Sequence, residues 1–162
     1  MPVIMGILNI TPDSFSDGGL FKDHDAALAH ALALVDEGAH IIDVGGESTR
    51  SGAEPVSCEE ELARTVPMVK ELASRGICVS IDTRNAEVAR ACIDAGASVI
   101  NDVSGFRSKD MAELAASCDA GLVVMHMRGT PETMQQETEY TDVVSEVKTY
   151  LQEQATLLES HG

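Results

Sequence analysis

Basic residues are scarce in this chain: 11 lysines and arginines stand against 27 aspartates and glutamates, a net charge of −16 over 162 residues. A protein whose main partner is nucleic acid or an anionic membrane needs basic surface, so both are excluded as principal partners, and any anion site must be a local pocket. No apolar run approaches the roughly 18 residues of a membrane span, and no basic leader precedes an apolar core, so neither a span nor a secretion signal is expected. Cys58, Cys78, Cys92 and Cys118 include no CxxC pair. They read as reduced, mostly buried thiols, which points to the cytoplasm. No GxGxxG follows the first apolar run, which argues against a dinucleotide-binding fold. Length is short too: 162 residues hold one domain with a core, against the roughly 250 typical of a closed (β/α)8 barrel.

What is present is a repeated unit. Four times a glycine is followed five or six positions later by a polar residue, with mostly apolar residues between: Gly38 to Asp43, Gly76 to Asp82, Gly96 to Asn101 and Gly121 to His126. Each glycine falls where a helix would end, and each run that follows is strand-like. Helix, glycine, strand and polar tip together make a βα unit. In parallel α/β proteins ligands bind at the carboxyl ends of the strands, so Asp82, Asn101 and His126 are expected on one rim with the loop after Val44.

In chain order, Val3 to Leu8 is a strand apolar enough to be buried on both faces. A polar loop from Asn9 follows, carrying Phe15 and running to about Asp23, of the kind that forms lids and binding loops. Asp25 to Glu37 is a helix capped by Asp23 or Asp25 and stopped by Gly38. His24, His30 and His40 lie in or beside it without metal-ligand spacing and read as surface or packing residues. Ile41 to Val44 is a buried strand ending in Gly45-Gly-Glu-Ser-Thr-Arg50. There the paired glycines free backbone N–H groups for an anion, while Thr49 adds a hydroxyl and Arg50 a planar fork of donors suited to phosphate oxygens; taken alone, the loop reads equally as a glycine-rich turn with a solvated arginine.

Ser57 and Glu60 form a capping box for a helix ending before Gly76, which Pro67 should kink or split. Strands follow at Gly76 to Asp82, Ser98 to Asn101 and Leu122 to Met125, and helices at Asn85 to Ala95 and Lys109 to Ser117. Asp82 can either meet a ligand's donor edge or cap the next helix, and Asn101, donor and acceptor at once, suits the edge of a heterocycle or a turn. Residues 130–141 are polar and irregular. A last helix, Asp142 to Leu158, carries Val143, Val144, Val147, Tyr150, Leu151, Leu157 and Leu158 on one apolar side.

Several segments jointly resemble dihydropteroate synthase of the folate pathway: Met5-Gly-Ile-Leu-Asn-Ile-Thr-Pro-Asp-Ser-Phe-Ser-Asp-Gly-Gly19, Gly45-Gly-Glu-Ser-Thr-Arg50, Ser80-Ile-Asp-Thr83, Ile100-Asn-Asp-Val-Ser-Gly105 and Met125-His-Met127. The motifs stand in the family's order and cover nearly all of the chain. The resemblance implies a (β/α)8 TIM-type barrel, of which about the first five βα units fall within residues 1–162, as one pterin-binding domain. It also implies a transferase that condenses 6-hydroxymethyl-7,8-dihydropterin pyrophosphate with para-aminobenzoate to 7,8-dihydropteroate and pyrophosphate, with Mg2+ assisting departure.

Carried over by position, Asn9 would hold magnesium and pyrophosphate, and Thr49 and Arg50 would grip the phosphates. Asp82 and Asn101 would hydrogen-bond the pterin, Val103 and Met125 would line its apolar walls, and Phe15 would belong to the loop over para-aminobenzoate. Two departures stand out. Ser51 occupies a position where the family usually has proline, which loosens the loop near the para-aminobenzoate site and implies a changed response to sulfonamides. A further aspartate, a lysine and an arginine–histidine pair of the family's later strands do not occur within the 162 residues. A barrel opened after its fifth strand would expose two parallel edges and apolar interior, so a homo-oligomer is expected. The alternatives are a methyltransferase acting on methyltetrahydrofolate and a non-catalytic fragment that binds pterin through Asp82 and Asn101.

Overall fold

The computed structural model of the chain describes residues 2–10, 20–47, 56–129, 133 and 138–160. Phe15, Thr49, Arg50 and Ser51 lie outside the described residues. Five βα units follow one another: β1 (Met5–Asn9), α1 (Leu20–Asp36), β2 (Ile41–Gly45), α2 (Cys58–Ser74), β3 (Cys78–Asp82), α3 (Ala86–Asp94), β4 (Val99–Asp102), α4 (Lys109–Ala116), β5 (Gly121–Val124) and α5 (Val143–Glu159). The strands form one sheet in the order β1-β2-β3-β4-β5, every pair parallel. This is the expected alternation, with the outer edges of β1 and β5 unpaired among the described residues.

The strand register divides the sheet into two faces, because neighbouring residues of a parallel pair point the same way. On one face Leu8, Ile42, Val44, Val79, Ile81 and Ile100 are fully buried. They meet Ala27 and Ala31 of α1, Met68, Val69 and Leu72 of α2, Val88 and Cys92 of α3, and Met111 and Leu114 of α4 in one cluster. Each such aliphatic side chain withdrawn from water contributes about 1.5–3 kcal/mol, so this layer holds the sheet to its helices. The opposite face carries Ile7, Asn9, Asp43, Gly45, Ser80, Asp82, Asn101 and Val123 in lateral register.

That second face corrects the expectation for the first strand. β1 is not buried on both sides: Ile7 is 62% exposed and alternates with buried Gly6 and Leu8. Its apolar run fits a barrel strand, but no described residue covers its inner face. Three further expectations shift. α1 begins at Leu20, so Asp23 and Asp25 lie inside the helix and neither caps it. α2 runs unbroken across Pro67. The ring removes one backbone hydrogen bond, while burial of Met68, Val69 and Leu72 on the same helix keeps the element continuous. Only Leu158 of the apolar set on α5 is buried, and Val144 is 72% exposed.

Ser57 caps α2 as expected, its Oγ accepting from Glu60 N at 3.2 Å, while the Glu60 carboxylate pairs with Arg64 instead of closing the box. Gly38, Gly76 and Gly96 follow α1, α2 and α3 with φ of +111°, +76° and +112°, the left-handed conformation that ends a helix. Gly121 differs, opening β5 instead. All four cysteines are free, but only Cys92 is buried and the other three are half-buried. His40 has a packing role, its Nδ1 accepting from Ile4 N at 3.2 Å. No helix among the described residues is long and apolar enough to cross a membrane.

Candidate functional site

The carboxyl ends of β1 to β4 bring Asn9, Gly45, Asp82 and Asn101 side by side, since Asn9 registers with Gly45, Gly45 with Asp82, and Asp82 with Asn101. Glycine at position 45 is what lets its neighbours meet. A Cβ there would stand 3.3 Å from Asn9 Oδ1 and 3.7 Å from Asp82 Oδ2. The four sequence-selected positions therefore share one rim of the open face.

The glycine loop is anchored from below. A Cβ on Gly46 would lie 2.7 Å from Thr65 Cγ2 and 3.0 Å from Glu61 Cγ, so the loop rests directly on α2. Arg64 Nη1 donates to Gly46 O at 2.9 Å. Glu47 accepts from Arg84 Nε and Nη2, both at 3.1 Å, and from Val56 N at 3.2 Å, so one carboxylate closes both ends of the loop and fastens it to the turn after β3. From sequence, Glu47 was quoted only within the motif of residues 45–50 and Arg84 was given no role. Their pairing is a contact between residues 37 apart that no local pattern announces.

Asp82 does not cap α3. Asn85 does, its Oδ1 accepting from Glu87 N at 3.1 Å, with Thr83 Oγ1 accepting from Asn85 N at 3.0 Å. The Asp82 carboxylate is left with a buried Oδ1 that has no hydrogen-bond partner among the described residues. Burial pushes its pKa up to about 7, and the nearby carboxylates of Asp43, Glu61, Asp102 and Glu47 push the same way. Asn101 Nδ2 donates to Asp43 Oδ2 at 2.9 Å. Asp43 Oδ1 and Ser80 Oγ, on the same face, are likewise buried without partners among the described residues. Buried polar atoms are normally satisfied, so unpaired oxygens gathered on one face mark a place where a donor-bearing ligand fits.

Asp102 has a different task. Fully buried, it accepts from Ser104 N, Ser104 Oγ and Phe106 N, all at 2.8 Å, and so folds the loop after β4. In that loop Phe106 holds a φ of +59°, unusual for a side chain of its size. Arg107 donates to Tyr150 Oη at 3.1 Å and to the carbonyl oxygens of Gly129 and Met127, tying the β4 loop to the start of the β5 loop. Val103 is buried beside this turn, and Met125 stands 38% exposed past the end of β5.

His126 does not join the rim. Its ring packs edge-on against Tyr150 of α5, centroids 4.9 Å apart, with Tyr140 at 6.1 Å. The sequence reading also left out Asp43 as a site residue.

These features can be set beside known proteins. A family described as pterin binding enzyme matches residues 5–162. The dihydropteroate synthase of Synechocystis sp. is 47% identical over 161 residues, 98% of this chain and 56% of that protein. The crystal structure of Burkholderia cenocepacia dihydropteroate synthase complexed with 7,8-dihydropteroate superposes with a TM-score of 0.87 at 43% identity, covering 100% of this chain and 55% of that one. For the Yersinia pestis enzyme in a sulfonamide drug complex the TM-score is 0.91 at 42% identity, with 99% and 59% covered. The chain thus spans a little over half the length of these relatives. The parallel βα order is that of the barrel these enzymes share, and the chain belongs to the pterin binding enzyme family.

Proposed function

We propose that residues 1–162 form a pterin-binding barrel domain of a dihydropteroate synthase, a transferase of folate biosynthesis. The observation that carries this reading is the acceptor cluster on the open face: among the described residues Asp82 Oδ1 and Asp43 Oδ1 are buried and unpartnered beside Asn101. A pterin presents adjacent N–H donors along its pyrimidine edge, which is what such a cluster reads. Asp82 and Asn101 hold that edge, with Val103 and Met125 as apolar wall.

In the reaction the para-aminobenzoate amine attacks the exocyclic methylene of 6-hydroxymethyl-7,8-dihydropterin pyrophosphate. The C–N bond forms, the C–O bond to pyrophosphate breaks, and the amine gives up a proton. No nucleophilic side chain is required, so the protein's contribution is to position both substrates and to stabilise the departing charge. Thr49 and Arg50 grip the pyrophosphate from the loop that Glu47 closes, and Phe15 and Ser51 border para-aminobenzoate.

Magnesium is implied by the resemblance. Among the described residues no group of three His, Cys, Asp or Glu side chains could hold a metal by itself. The amide oxygen of Asn9, beside Gly45, fits an ion that arrives with the substrate, because magnesium accepts one protein oxygen together with phosphate oxygens and water. When bound, it draws charge from the leaving pyrophosphate. The same reading gives small-molecule partners, a cytoplasmic location in keeping with four free thiols, and association of copies through the open sheet edges.

The test is pyrophosphate release from dihydropterin pyrophosphate in magnesium buffer, with and without para-aminobenzoate. Release that depends on para-aminobenzoate is the expected result. Methyl transfer from methyltetrahydrofolate in its place would overturn it.

A further inference from the structure

We infer that Asp43 is a positioning residue for the pterin site: it locks the side-chain amide of Asn101 in the one orientation that turns its carbonyl oxygen towards the ligand. The inference rests on the pterin-binding reading above and goes beyond it, since Asp43 acts through Asn101.

The two ends of an amide are nearly the same size, and a half-turn about the side chain's last bond exchanges an acceptor for a donor. Something must choose between them. Asp43 Oδ2 takes the Asn101 Nδ2 hydrogen at 2.9 Å. An ionised carboxylate can only accept, so the NH2 is drawn towards β2, and Oδ1, which accepts no hydrogen bond among the described residues, faces the open side of the sheet. Asp43 is 5% exposed, and the bond is made within the site.

The reach of this contact is built into the sheet. Asp43 lies on β2 and Asn101 on β4, so the carboxylate spans the intervening strand, a separation of roughly 10 Å between backbones. Ser80 sits opposite Asp43 on β3, fully buried, and its small side chain leaves the path clear. A purely structural carboxylate would be expected to satisfy both oxygens, yet Asp43 Oδ1 has no partner among the described residues. It lies on the ligand's face, next to unpartnered Ser80 Oγ and Asp82 Oδ1.

The probe is 6-hydroxymethyl-7,8-dihydropterin, titrated into the 162-residue chain by its own fluorescence. Asp43→Ala should weaken binding about tenfold, the scale of one hydrogen bond to a charged group. Made in an Asn101→Ala background, the same change should alter affinity less than twofold, because the group it acts through is gone. Isosteric variants keep the test independent of folding: Asn101→Asp alone sets two carboxylates face to face and should lose binding. Adding Asp43→Asn restores a donor between them and should recover most of it. Equal loss from Asp43→Ala in both backgrounds, or no recovery in the isosteric pair, would overturn the inference while leaving the pterin site standing. Absence of binding by the unsubstituted chain would overturn both.

Discussion

Asp82 concentrates the electrostatics of the site in one residue. Its folded pKa of about 7 stands above the usual value near 4, so between those two pH values the folded state holds a proton that the unfolded chain has released. Stability therefore falls as pH rises from about 4 to about 7 and levels off above. Asp82→Asn cannot ionise, and thermal unfolding should show it stabilising the chain more at pH 8 than at pH 4. An equal effect at both would remove the burial argument. A pterin that donates to the carboxylate binds the deprotonated form, so its affinity should increase as pH rises through 7. Gly46 gives a steric counterpart: Gly46→Ala drives a methyl group against Thr65 and Glu61 and should cost about 1–3 kcal/mol in denaturant unfolding. At this scale Asn9, Asp82 and Asn101 were legible because each ends an apolar run. Asp43 and Glu47 were not, because their roles depend on partners 58 and 37 residues away.

The elements show where local signals decide and where packing does. Gly38, Gly76 and Gly96 told correctly where α1, α2 and α3 stop, since a left-handed residue after a helix is a local requirement. Pro67 misled for a matching reason: its local penalty is real, but Met68, Val69 and Leu72 bury the helix face next to it. Pro67 is exposed, so replacing it should relieve that penalty without opening a cavity. Pro67→Ala is expected to stabilise the chain by about 2–3 kcal/mol in urea unfolding, and a loss of stability would mean that the ring itself packs. His126 was misplaced because β5 ends at Val124, two residues before it, and its ring packs against Tyr150 of α5, a contact that no local pattern announces.

As a whole, the molecule is a five-stranded parallel sheet covered on one face and open on the other. Ile7 and Val123 on the open side, Met125 past the end of β5, and Val143, Val144 and Leu157 on α5 leave apolar surface in water. With the outer edges of β1 and β5 unpaired, sedimentation at micromolar concentrations should find associated chains, and a sharp melt at monomeric mass would speak against it. In the function proposed above, the same open face is the pterin site. Calorimetric titration of the chain with dihydropterin pyrophosphate at pH 8, comparing Asn101→Ala with His126→Ala, asks most directly whether this is so. One saturable site, weakened about tenfold by Asn101→Ala and left intact by His126→Ala, is the outcome expected of ligand binding on the open face. Binding indifferent to Asn101, or lost with His126, would place the ligand elsewhere.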